Sequence, residues 1–105
     1  MTYECHITTS KDHAAAVETL AADLHWKYSC IDGDPVLGKQ AFAYLTTHDV
    51  HFDRMLQRMR HASLALEKHG VPVLREKIEL IVFDTKRPAG PCQGVWRELM
   101  DAIGA

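Results

Sequence analysis

Thr2-Tyr3-Glu4-Cys5-His6-Ile7-Thr8-Thr9-Ser10 opens the chain with an alternation of apolar and polar side chains. Successive residues of an extended backbone point to opposite faces, so Tyr3, Cys5 and Ile7 share one side and Glu4, His6 and Thr8 the other. The stretch reads as a strand with one buried face and one ionisable face. Any site on that second face is organised around His6.

Outward from this strand the period changes. Ser10 can cap a helix over Lys11 to Leu24, in which Val17, Leu20, Ala21 and Leu24 recur at helical spacing and His13 extends the stripe. Alternation returns at Trp26, Tyr28 and Cys30, which predicts a second strand. Asp32 to Gly38 carries Pro35 between Gly33 and Gly38 and predicts a long acidic loop. Gln40 to Thr47 resumes the alternation, with Ala41, Ala43 and Leu45 on one side and Phe42, Tyr44 and Thr46 on the other. The two strands then form a hairpin.

Thr47 or Asp49 can cap a second helix whose stripe is Phe52, Leu56, Met59, Ser63 and Leu66, flanked by Met55 and Ala62. Gly70, with Val71 and Pro72 behind it, ends that helix near His69. Val73 to Phe83 is a last strand with Ile78, Leu80 and Val82 facing one way and Arg75, Lys77, Glu79, Ile81 and Phe83 the other. Residues 87–94 read as a loop, and Val95, Trp96, Leu99 and Ile103 predict a short C-terminal helix.

Strand, helix, strand, strand, helix, strand is an α+β order, and from Thr2 to Phe83 it resembles the ferredoxin-like fold, a βαββαβ two-layer sandwich. The resemblance implies a four-stranded antiparallel sheet with two helices on one face and the first and third strands central. It leaves the other face open. The 105 residues are then a single domain with a core over 2–84 and a C-terminal loop and helix over 85–105.

Composition narrows the classes of function. Hydrophobic residues at 47% and charged residues at 25% are those of a globular chain rather than a disordered or fibrous one. A net charge of -2 lacks the positive field of a non-specific nucleic-acid binder, so nucleic acid is not the expected partner. No apolar run approaches the ~18 residues of a membrane span, and no basic-then-apolar leader is visible, so a cytoplasmic protein is expected. Cys5, Cys30 and Cys92 are odd in number and widely spaced, which fits neither a disulfide framework nor a zinc knuckle; Cys5 and Cys30 read as buried free thiols.

Chemistry is expected on the open face, where Glu4, His6, Thr8, Lys27, Ser29, Phe42, Tyr44, Thr46, Arg75, Lys77 and Glu79 collect. An imidazole, hydroxyls, a carboxylate and several cations can hold an anion and move a proton. The candidate catalytic residues are His6 as general base with Tyr44 and Glu79. The candidate ligand-binding residues are Thr8, Lys27, Ser29, Thr46, Arg75 and Lys77, for a phosphate or carboxylate. No pattern names a cofactor. His48 and His51 are three apart with Asp49 and Asp53 close by, half of a metal site on a helical turn, and read instead as a solvated helix start. Arg54, Arg58 and Arg60 likewise read as a solvated helix face, and the glycines around Pro35 as a turn or lid rather than a phosphate loop.

His6-x-Thr8 on a strand resembles one of the two paired motifs of the two-histidine phosphoesterases. That resemblance implies histidines acting as acid and base with the neighbouring Thr holding the phosphate. The chain has one such motif, so a homodimer would be needed to bring two together. The alternative is a non-catalytic domain whose open face, with Phe42, Ile81, Phe83, Val95, Trp96 and Leu99, is a homodimer surface.

Overall fold

In the computed structural model, residues 1–34 and 36–82 are described. Strand β1 (Thr2–Ser10) leads through a short 3-10 turn (Lys11–His13) into helix α1 (Ala14–Leu24), followed by β2 (Lys27–Asp34), β3 (Gly38–Asp49), helix α2 (Phe52–Lys68) and β4 (Val73–Ile81). The four strands form one antiparallel sheet in the order β2-β3-β1-β4. The expected C-terminal helix, Phe83 and Cys92 lie outside the described residues. No described helix is long and apolar enough to cross a membrane.

The central place of β1 follows from its sequence. Cys5 and Ile7 are wholly buried and meet Ala43 and Leu45 of β3, Val17, Leu20 and Ala21 of α1, and Met55, Ala62 and Leu66 of α2 in one cluster. Both helices therefore cover the face that carries Tyr3, Cys5 and Ile7. Burying side chains the size of Ile7, Leu45 and Leu66 stabilises the fold by ~1.5–3 kcal/mol each.

Local chemistry moves several expected boundaries. Ser10 does act as a cap, its Oγ accepting from the Asp12 amide at 3.2 Å, but the turn it starts is 3-10, and α1 begins only at Ala14. His25, at φ 62°, and the Trp26 amide bonded to the Ala21 carbonyl at 2.8 Å close α1 and turn Trp26 into the core. The long acidic loop is not found. Strand pairing runs on to Asp34, which pairs with Gly38; between the Asp32–Ala41 and Asp34–Gly38 pairs Gly33, at φ 80°, stands opposite both Lys39 and Gln40, a bulge whose extra residue is on β3. Asp34 Oδ1 then accepts from the Val36 and Leu37 amides at 2.8 and 2.9 Å, an Asx turn that needs few residues.

The second helix is rotated from its expected azimuth. Met55, Ala62, Ser63 and Leu66 are buried, while Phe52 is 46% exposed and Leu56 only half-buried. Asp49, at the end of β3, supplies the reason. Its buried carboxylate accepts from the His51 amide at 3.1 Å, from Arg54 Nε at 2.7 Å and from Arg58 Nη1 at 3.2 Å. Arg58 also donates to the His48 carbonyl and to Thr47 Oγ1, and its guanidinium lies 5.9 Å from the centre of the Trp26 ring. Two arginines one turn apart are thus tied to the end of β3, Arg58 half-buried and Arg54 still exposed as expected of a solvated helix face. At its other end, α2 stops as expected: Gly70 is at φ 77° and the Val71 amide bonds to the Leu66 carbonyl at 2.9 Å.

Candidate functional site

The register of the sheet decides what meets on its open face. Lys77 aligns with His6, His6 with Thr46, and Thr46 with Lys27. One step along, Arg75, Thr8, Tyr44 and Ser29 form a second row, and on the other side Glu79, Glu4 and His48 form a third. A second bulge leaves Leu74 as an extra residue between Val73 and Arg75. Because it falls before Arg75, the phase of Arg75, Lys77 and Glu79 is kept.

A cleft of about 220 Å³ opens over the first two rows. It is lined by His6, Thr8, Ser29, Ile31, Asp34, Tyr44, Thr46, Arg75 and Lys77. Every candidate site residue except Lys27 and Glu79 is therefore brought to one place. Lys27 sits on edge strand β2 beyond Thr46 and is exposed. Glu79 stands outside the lining, with its Oε1 3.0 Å from Lys77 Nζ and 3.6 Å from His6 Nε2.

His6 is the best-connected group. Its Nδ1 lies 3.0 Å from Thr46 Oγ1 and its Nε2 lies 2.6 Å from Glu4 Oε1. Arg75 is half-buried and makes no hydrogen bond or ion pair among the described residues, although its charge is felt by Asp34, Tyr44 and Glu79. Lys77 holds the Glu79 carboxyl below its ordinary range by a hydrogen bond, with His6 and Arg75 adding to the effect. Asp34 is likewise held low, first by the Leu37 and Val36 amides. Burial pushes the Tyr44 hydroxyl up, and its hydrogen bond to Asp34 Oδ2 at 3.0 Å pushes the same way. At neutral pH the cleft thus contains an ionised carboxylate at the hairpin end, a neutral phenol, and two cations on β4.

Asp34, Glu4 and His48 are the parts that sequence reasoning left out of the site. By alternation from Tyr28 and Cys30, Asp34 belongs on the helix side. The structure turns it to the open face instead: past the register shift that pairs it with Gly38, its Oδ2 accepts from the Tyr44 hydroxyl and it lines the cleft. Residue order alone offers no means of counting the extra residue, which lies on β3 at Lys39 and Gln40. His48 was findable, since it continues the phase of Tyr44 and Thr46 by two. It lies on β3 with its Nε2 3.1 Å from Glu4 Oε2, whereas His51 precedes α2, so the two do not share a helical turn as expected. Among the described residues no group of three or more His, Cys, Asp or Glu is arranged to hold a metal ion.

Two expectations about exposure are corrected. Phe42, assigned to a homodimer surface, is only 1% exposed; it lies on an interior strand between Ser10 and Ile31. Cys30 is exposed rather than buried, because β2 is an edge strand with a neighbour on one side only.

Comparison of the chain with protein-family models, with curated proteins and with solved structures finds no match. The likeness of His6-x-Thr8 to the two-histidine phosphoesterases gains no support from them.

Proposed function

We propose that the open-face cleft binds a small anion, a phosphate or carboxylate, and that His6 exchanges a proton with it. The scaffold is read as ferredoxin-like, on the strength of the strand order and the two helices over one face. The observation that carries the functional reading is Arg75. A half-buried guanidinium with no partner among the described residues, on the wall of a cleft beside Lys77 and four hydroxyls, is suited to a planar or tetrahedral oxyanion. Thr8 and Ser29 supply the neutral donors, and His6, with Thr46 against its Nδ1, stands within the same lining.

The homodimer reading has less to rest on. Phe42 is buried, Phe83, Val95, Trp96 and Leu99 lie outside the described residues, and Ile81 is half-exposed.

Titration with inorganic phosphate, phenyl phosphate and citrate, read by thermal unfolding, tests the proposal. A ligand present at 100 times its Kd stabilises the folded state by ~2.7 kcal/mol. At least one of the three is expected to raise the melting temperature of the wild type and to lose that effect in Arg75→Ala and Lys77→Ala. Equal responses in wild type and Arg75→Ala would remove the cleft as the binding site.

A further inference from the structure

Glu4 presents its two carboxylate oxygens to two different imidazoles. Oε1 is 2.6 Å from His6 Nε2 and Oε2 is 3.1 Å from His48 Nε2. An ionised carboxylate has no proton to give, so each ring must offer it an N–H. A neutral imidazole that donates from Nε2 keeps its lone pair on Nδ1. In His6 that atom lies 3.0 Å from Thr46 Oγ1, whose hydroxyl then donates to it, and Thr46 lines the cleft. The remaining groups around His6 Nε2 do not compete. Glu79 Oε1 is at 3.6 Å and is drawn to Lys77 Nζ at 3.0 Å.

We propose that Glu4 is a positioning residue: it fixes His6 as the Nε2–H tautomer, so that Nδ1 is the basic atom of the cleft, and His48 holds the second oxygen of Glu4 in place. The proposal rests on the reading of the cleft as the functional site and says which atom of it acts. As the Thr46 hydroxyl turns its hydrogen away, Nδ1 takes the proton of an acid O–H on the bound phosphate or carboxyl group, leaving that oxygen as the anion, and the new Nδ1–H donates to Thr46 Oγ1. The ring becomes an imidazolium, and the charge it gains faces the Glu4 carboxylate through the existing Nε2–H contact. Glu4 itself touches no ligand in this arrangement.

Long-range proton–nitrogen spectra of the histidine rings read this directly, in the absence of any ligand and at alkaline pH. In the wild type, His6 and His48 are both expected to carry their proton on Nε2, with the His6 Nε2–H shifted downfield and slow to exchange. Glu4→Ala should lose that protected resonance. Glu4→Gln offers one carbonyl oxygen and one NH₂ to the two rings, so one of them should change to the Nδ1–H form. A wild-type His6 protonated on Nδ1, or a His6 spectrum unchanged in Glu4→Ala, would overturn the assignment. Amide spectra of both variants report folding separately. Because no anion is present, failure of phosphate binding and failure of the tautomer assignment are distinct results.

Discussion

Cys5 and Cys30 place the same thiol in two different surroundings. Cys5 is 0% exposed between Ile7 and the helices, and burial first, then the charge of Glu76, push its pKa up to about 12 despite the opposing pull of Arg58. A thiol alkylates as the thiolate, so Cys5 should be inert at neutral pH. Iodoacetamide followed by peptide mass mapping is expected to modify Cys30 in the native protein and Cys5 only after denaturation. Rapid native labelling of Cys5 would contradict its placement in the core. Both residues continue the apolar phase of an alternating segment, and their difference comes from strand position: β1 has neighbours on both sides and two helices above it, whereas β2 ends the sheet.

Among the elements, α2 and the β2–β3 hairpin hold the placement of the site. The Asp49 carboxyl is held well below the usual carboxylate range, first by its hydrogen bond to Arg54 and then by the His51 amide and Arg58. A carboxylate whose folded pKa is depressed contributes stability that is fully present above its unfolded value, ~3.9, and is lost as pH falls through the folded value. Asp49→Asn should therefore melt at a lower temperature than wild type at pH 7, and the gap should close on acidification below about pH 4. A gap that did not depend on pH would mean that the charge of Asp49 is not what ties α2 to β3. In the hairpin, a Cβ at Gly33 would meet nothing nearer than 3.9 Å, so only its positive φ opposes substitution. Gly33→Ala is expected to cost ~1–2 kcal/mol of unfolding free energy by denaturant titration. If the strain is relieved by losing the bulge, Asp34 turns away from Tyr44 and the phosphate response of the cleft weakens with it.

For the whole molecule, one apolar cluster joins both helices to the sheet. Leu66→Ala, at a wholly buried position, should lower unfolding stability by ~2–5 kcal/mol, measured by chemical denaturation. The homodimer expected from the sequence would give twice the chain mass of 11.8 kDa in light scattering; a single-chain mass with the phosphate response retained would assign the cleft to one copy. The phase of each strand was legible from residue order, because a side-chain period of two depends only on the local backbone. That is why His6, Thr8, Ser29, Tyr44, Thr46, Arg75 and Lys77 could be placed on one face before any contact was known. The azimuth of α2 was not legible, since a broad stripe fits several rotations and the choice fell to Asp49, which reaches Arg54 and Arg58 across an element boundary. Nor was the side of Asp34, because the register shifts by one residue between Asp32 and Asp34, with the extra residue on β3, and only the pairing of the two strands reveals it. The sequence by itself determined the order of elements and the two faces of the sheet. Tertiary structure alone decided which polar groups touch: the period of two puts Glu4 and His6 on one face, but the contact of Glu4 with His48 depends on the pairing of β1 with β3, which no local period encodes.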